Sequence, residues 1–166
     1  MSVKFRVEMK VEYMYDYLLY HNYTHASGIF SALAGIVTLF MAIRYGIAGD
    51  FQYCAIWGMC TVLLLVANPS VLKSNARSQV KNVEMFQKPL EYELTEDGII
   101  VRQEEQEAVV SWGDVSKVVR TSKSVLVYIG RIRALILPKE CMGNQYEDVV
   151  KMICTHVSSK RVRGLK

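Results

Sequence analysis

The stretch from Ala26 to Leu72 constrains this chain more than any other. It holds two long runs without a charged residue, Ala26 to Ile43 (18 residues) and Phe51 to Leu72 (22 residues), divided by one short connection. As a helix rising about 1.5 Å per residue, the first run would reach roughly 27 Å, close to the thickness of a bilayer's hydrocarbon core. The second meets Asn68-Pro69, which reads as a helix stop. Two core helices of a soluble protein are the competing reading. Such helices ordinarily keep a polar stripe for water, and neither run has a charge to offer. The pair is therefore predicted to be a transmembrane helical hairpin over 26–72, with spans at about 26–47 and 51–70. The connection from Arg44 to Asp50 is too short for a domain, so the two helices must be antiparallel neighbours.

Small residues at Gly28, Gly35 and Ala42 recur every seven positions, with Ser31 and Ala32 beside them, and give the first helix a narrow face. Ala55 and Gly58 offer the second helix a similar surface. Close packing within the hairpin uses such a face, and so does a homo-oligomer. The hydroxyls of Ser31, Thr38 and Thr61 can be satisfied within their own helices. Lys73, Arg77, Lys81 and Lys88 follow the second run and Arg6 and Lys10 precede the first, whereas the connection holds Arg44 offset by Asp50. The positive-inside bias predicts a multi-pass protein of the cytoplasmic membrane with both termini in the cytoplasm.

About 25 residues precede the hairpin and about 94 follow it, so only the second part can bury a core of its own. The net charge of +4 lies mostly beside the hairpin and at the C-terminus, which suits an anionic lipid surface better than nucleic acid. Cys54, Cys60, Cys141 and Cys154 show no zinc spacing and are expected to be free thiols. The first 25 residues are polar and aromatic, not a cleavable signal peptide, so the first span is expected to direct insertion.

Val3 to Val11 alternates apolar and charged residues over nine positions, the mark of a half-buried strand. The segment 1–12 must pair with a sheet elsewhere, and the only sheet available is C-terminal. Residues 13–25 hold Tyr13, Tyr17, Tyr20, His21 and Tyr23 and read as an interfacial helix with an aromatic belt. His21 and His25 share one helical face, either as a metal or proton site or as a plain polar face. Segment 73–87 reads as a helical or extended membrane exit. From Lys88 the signals are β: a hairpin turning at Glu96-Asp97-Gly98, where Gly98 would accept a positive φ, then an acidic loop at Glu104, Glu105 and Glu107, then further strands to Pro138. Tyr146 to Val157 places Val149, Val150, Ile153 and Val157 on one face of a helix. The end, 160–166, is a basic tail.

The runs Glu93 to Ile99, Val110 to Val115, Val125 to Tyr128 and Leu135 to Lys139, with Asp16-Tyr17 ahead of the hairpin, resemble the YcxB-like family of bacterial membrane proteins. The resemblance implies a pleckstrin-homology-like (PH-like) domain over 88–159 and supplies no catalytic residue. It also implies kinship with bacterial pleckstrin-like modules, some of which act in bacteriocin immunity. The Ser or Thr expected as a helix cap before Asp16-Tyr17 is absent.

The fold expected is an α+β membrane protein, its hairpin inserted between an N-terminal strand and a C-terminal antiparallel sheet capped by one helix. Trp112 is expected to anchor that core, Asp114 to tighten the turn after it, and Pro138 to end the last strand. No nucleophile with a base, carboxylate pair or phosphate loop stands out, and no cofactor is implied. The expected function is non-enzymatic: binding another membrane or membrane-associated protein, for instance as immunity to a membrane-active toxin. The alternative is a sensor of anionic membrane lipid, touched by Arg131, Arg133, Lys160, Arg161, Arg163 and Lys166.

Overall fold

The computed structural model describes residues 2–130 and 133–165, and of Ser27 the backbone alone. In chain order it runs β1 (Val3–Val7), α1 (Val11–Thr24), α2 (Ala26–Ile47), α3 (Phe51–Val62), a π-helical turn (Leu63–Ala67), α4 (Asn68–Asn82) and α5 (Glu84–Gln87). Then come β2 (Leu90–Leu94), β3 (Gly98–Gln103), β4 (Gln106–Ser111), β5 (Val115–Arg120), β6 (Ser124–Ile129), β7 (Arg133–Pro138), α6 (Lys139–Met142), α7 (Tyr146–His156) and β8 (Val162–Arg163). The chain divides into two compact units, Met1–Tyr17 with Arg77–Lys166, and Leu18–Ala76. It is an α+β chain with two sheets where one was expected.

In the first unit, β1 pairs antiparallel with β2, Val3 opposite Leu94 and Val7 opposite Leu90. The strand is five residues long, not nine, although Met9 is still buried and the alternation outlasts the pairing. The ladder ends where its partner ends: Pro89 stands where the next rung would form and has no N–H to give. The first sheet runs β1-β2-β3-β4 and the second β7-β6-β5-β8. Their facing sides share one core, from Val3, Phe5, Tyr92 and Ile99 to Val118, Val127 and Leu137. α7 closes that core with Val149, Met152 and Ile153. Trp112 sits in the 3-10 turn that carries the chain from β4 to β5, buried, its Nε1 donating to Thr95 O at 2.9 Å. Ser111 caps this turn by accepting the Gly113 N–H at 3.4 Å, and Asp114 is its exposed last residue.

Gly98 does not take the positive φ expected of it. Its requirement is space, since a Cβ there would lie 2.3 Å from the Val110 carbonyl oxygen on the paired strand. The acidic segment is a tight β-hairpin. Glu104 takes φ 52° at the turn, and Glu107 stands in β4 opposite Arg102.

The basic end of the chain is not a free tail. Val162 and Arg163 pair parallel with Val118 and Val119 of β5, and Leu165 is buried in the shared core.

The other side of the second sheet buries Val119, Leu126, Tyr128 and Ile136. The first turns of α1 lie on it. Tyr13 and Met14 are buried, the Tyr17 ring lies 6.4 Å from that of Tyr128, and Asp16 reaches the turn between β5 and β6. The Asp16 carboxylate accepts from the Thr121 hydroxyl at 2.5 Å, the Ser122 hydroxyl at 2.8 Å and the Lys123 N–H at 3.3 Å. Lys139 holds the same turn, its Nζ donating to the carbonyls of Thr121 (2.5 Å) and Ser122 (2.9 Å). Burial lowers the pKa of that amine, followed by the nearby Arg120.

In the second unit, the helix that begins at Phe51 does not stop at Pro69. It continues without a gap to Asn82. A proline inside a helix removes one N–H and drives its ring against the carbonyl four residues back. Just before it, the five-residue π-helical turn Leu63–Ala67 widens the helix where that clash would fall. The Ser70 hydroxyl donates to the Val66 carbonyl at 2.9 Å in the same region.

Two substitutions test these contacts in the full chain by chemical denaturation. Asp16→Ala removes a carboxylate with three donors and is expected to cost about 1.5–3 kcal/mol. Gly98→Ala pushes a methyl group into a backbone oxygen and is expected to cost about 2–3 kcal/mol, whereas Gly58→Ala, whose Cβ meets nothing within 4 Å, is expected to be tolerated.

Candidate functional site

In the hairpin unit the packing face of α2 consists of Gly35, Thr38 and Ala42, all buried, with Ser31 and Ala32 half-buried beside them. At Gly35 an added Cβ would lie 2.4 Å from Leu65 Cδ2, so the side chain of the opposite helix fills the place a larger residue would need. Gly28 has a different role. Its would-be Cβ lies 2.0 Å from the Asn22 carbonyl oxygen, which makes it a requirement of the α1–α2 corner. The face expected on α3 is corrected: Ala55 is exposed and Gly58 has open space around it. Cys54, Thr61 and Leu65 do the packing instead, and Ala55 lies about 100° around the helix from Cys54.

Thr38 donates to the Gly35 carbonyl at 2.9 Å and accepts from Thr61 Oγ1 at 3.0 Å. Thr61 Oγ1 also lies 2.9 Å from the Trp57 carbonyl, so both hydroxyls find acceptors within their own helices, as the sequence suggested, and the two meet across the helix pair as well. The sole sequence signal was a hydroxyl residue in each apolar run. Near the connection the Tyr45 and Tyr53 rings stack 5.3 Å apart.

Large apolar side chains dominate the rest of the surface of the two runs. Phe30, Phe40, Ile47, Phe51, Met59 and Val66 are between 58% and 84% exposed, and neither α3 nor the π-helical turn contains a buried residue. The two helices, Gly28–Ile47 and Phe51–Asn82, are long and apolar enough to cross a membrane.

The aromatic belt divides between the units. Tyr13, expected at an interface, is buried in the sheet unit, and its hydroxyl donates to Glu140, which also holds Lys10 Nζ at 3.1 Å. Burial, then the bond to Glu140, pushes the Tyr13 phenol up to about 12. Tyr17 stays with the sheet unit beside Tyr128, while Tyr20, His21 and Tyr23 are half-buried residues of the hairpin unit. The His21 and His25 rings lie 4.3 Å apart, and burial, then the neighbouring imidazole, lowers the pKa of His21. Among the described residues, no three His, Cys, Asp or Glu side chains converge as a metal site.

The basic residues expected at a lipid surface are held differently from one another. Arg133, Lys160 and Arg163 are exposed. Arg161 donates from Nη1 to the Val115 carbonyl at 3.1 Å. Arg131 and Lys166 lie outside the described residues.

On the outer side of the first sheet, Arg102 links Glu93 (2.5 Å) to Glu107 (2.7 Å), and Lys4 reaches Glu93 at 3.0 Å. Arg102 first, then Lys4, holds the Glu93 carboxyl below its usual range. His156, which seemed solitary in the sequence, stacks on Trp112 with ring centroids 5.1 Å apart and lies 3.0 Å from Glu96. The four cysteines are free thiols, with Cys154 exposed.

The sheet unit is thus a two-sheet, helix-closed α+β module on a chain that also carries an apolar helical hairpin. Residues 94–153, from the end of β2 into α7, match the family model described as YcxB-like protein. That match contains Trp112, Asp114 and Pro138. The apolar hairpin lies outside it. No curated protein matches the chain, and no solved structure does.

Because its native pKa is depressed, the Glu93 contribution to stability is present above the ordinary carboxylate range and fades as the pH falls through the native pKa. Glu93→Gln is expected to flatten that part of an acid-denaturation profile of the full chain. In the hairpin, Thr61→Val is expected to cost only about 0.6 kcal/mol in a detergent unfolding titration, the typical value of one side-chain hydrogen bond between helices in an apolar setting. Gly35→Leu is expected to disrupt the hairpin far more.

Proposed function

We propose that this chain is a membrane-anchored, non-enzymatic binding protein of the bacterial cytoplasmic membrane. The hairpin is its anchor and the sheet unit a PH-like module that engages another protein there. The observation that carries the reading is the outward apolar surface of the hairpin. A core helix of a soluble protein is mostly buried, whereas α3 and the π-helical turn bury no residue at all. An exposed apolar surface of this extent belongs in lipid or against a partner. Twenty residues from Gly28 to Ile47 give a helix of about 30 Å, which suits a bilayer core.

The polar flanks support both termini in the cytoplasm. Lys73, Arg77 and Lys81 are exposed along α4 beyond the second apolar run, while Arg44 in the connection is offset by Asp50. Two sheets, antiparallel apart from the short parallel β5–β8 pair, closed by a C-terminal helix support the PH-like reading. The non-enzymatic reading rests on how the carboxylates are used: Glu93, Glu104, Glu107 and Glu140 are each committed to an ion pair with Lys4, Lys10, Lys88 or Arg102. Protection against a membrane-active toxin is one form this binding would take. The alternative is contact with anionic lipid through Arg133, Lys160 and Arg163, whose exposure supports it at about 1 kcal/mol per basic residue near such a surface.

Cys154 is a natural reporter of topology. A membrane-impermeant maleimide is expected to label it in inverted membrane vesicles and not in right-side-out vesicles, and the reverse pattern would refute the orientation. For the binding role, full-length protein extracted in mild detergent from its native membrane is expected to bring a companion protein in fixed ratio. A lone chain that binds anionic vesicles would favour the lipid reading.

A further inference from the structure

Past the second apolar run the helix continues and changes character. No Asp or Glu occurs between Asp50 and Glu84, so the charges of α4 are all cations: Lys73, Arg77 and Lys81. They stand four residues apart on one unbroken helix, so the helix alone sets their spacing and stacks them on one side. At 100° per residue they fall within an arc of about 100° that also holds the exposed Ser74. Leu72, Ala76 and Gln79, which are buried or half-buried, lie well outside that arc. All three cations are exposed, and none has an ion-pair partner among the described residues. Lys4, Lys10, Lys88, Arg102 and Lys123, by contrast, each hold a carboxylate. The positive-inside bias counts cations and is indifferent to the side of the helix they occupy. A shared, unpaired face is a further property, the one that a site for several anionic groups requires.

We propose that Lys73, Ser74, Arg77 and Lys81 form a site for the phosphate groups of anionic phospholipids. This rests on the reading of the hairpin as a membrane anchor and goes beyond it, whatever the sheet unit binds. Depth selects lipid as the occupant. At about 1.5 Å per residue, Lys73, Arg77 and Lys81 stand roughly 1.5, 7.5 and 13.5 Å past Leu72, the last residue of the apolar run. The headgroup layer on one side of a bilayer is about 5–8 Å thick. The first two cations therefore stand at headgroup depth and the third beyond it, where a long side chain can bend back to the surface. The chemistry matches as well: a lysine ammonium meets phosphate as a point charge, an arginine fork meets two of its oxygens, and the Ser74 hydroxyl can donate a further hydrogen bond. An acidic protein segment would meet the same charges, but it would have to enter the headgroup layer to reach Lys73.

The test uses full-length protein in mild detergent, phosphatidylglycerol and phosphatidylcholine as probes, and native mass spectrometry to count the lipids retained. Phosphatidylglycerol is expected to bind at least tenfold more tightly than phosphatidylcholine, because each basic residue near the phosphates contributes about fivefold. The triple variant Lys73→Gln, Arg77→Gln, Lys81→Gln is expected to lose that preference with an unchanged circular dichroism spectrum, whereas Lys73→Arg with Lys81→Arg keeps it. Lys73→Gln alone is expected to weaken phosphatidylglycerol binding about fivefold, which tests the site even where the triple variant unfolds. Lys160→Gln with Arg163→Gln is expected to leave the preference unchanged. Equal retention of the two lipids by the wild type, or a preference that survives both the triple variant and Lys73→Gln, overturns the proposal and leaves the membrane anchor intact. Retention of neither lipid removes both. Displacement of phosphatidylglycerol by inorganic phosphate at equal concentration would assign the face to a free anion, and an acidic companion protein lost only from the triple variant would assign it to a protein; either result overturns the lipid site.

Discussion

Helices that offer water neither a charge nor a polar stripe bring their own environment requirement with them. In the two apolar runs, Gly35, Thr38 and Ala42 are used up by the neighbouring helix, and most of the large apolar side chains face outward. Each large apolar side chain left in water instead of being buried forgoes about 1.5–3 kcal/mol. On the membrane reading proposed above, the small residues and hydroxyl of α2 let Cys54, Thr61 and Leu65 of the second helix approach closely. Where lipid is as apolar as leucine, close backbone approach and hydrogen bonds are what hold helices together.

The sheet unit solves a different problem, that of completing a sheet whose first strand comes before the hairpin and whose other strands come after it. β1 completes the first sheet through its pairing with β2. The first turns of α1 then cover the far side of the second sheet, fastened by Asp16 to the β5–β6 turn. Asp16-Tyr17, met in the sequence as a short motif, is therefore a structural clamp. Asp16 satisfies a turn, and Tyr17 lies beside Tyr128. Trp112 plays a comparable part at the corner between the sheets, tied to Thr95 on one side and stacked on His156 of α7 on the other.

What could be read from the sequence was whatever depends on local periodicity. The alternation of β1, the hairpins after Lys88 and the apolar face of α7 all express a period of 2 or 3.6 residues. What could not be read depends on distant partners. Val162 and Arg163 form a strand only because β5, some forty residues earlier, presents an edge for them. Pro69 stays inside a helix because a π-helical turn makes room for it. Tyr13 looked interfacial because its neighbours are tyrosines, yet burial against the sheet and Glu140 decide its position. Ala55 and Gly58 were chosen for size, whereas the rotation of α3 set Cys54, Thr61 and Leu65 against α2 instead.

The central claim is that the hairpin lies within a bilayer, and the two tryptophans of the chain measure it directly. Trp57 is in α3 and Trp112 in the sheet unit. Full-length protein carrying Trp112→Phe, or Trp57→Phe, would be reconstituted in vesicles whose acyl chains carry bromine, a quencher that acts only at close contact. The account predicts strong quenching of Trp57 and little of Trp112. If Trp57 fluoresces as brightly in brominated as in ordinary lipid, the hairpin is not in the hydrocarbon and the account is wrong.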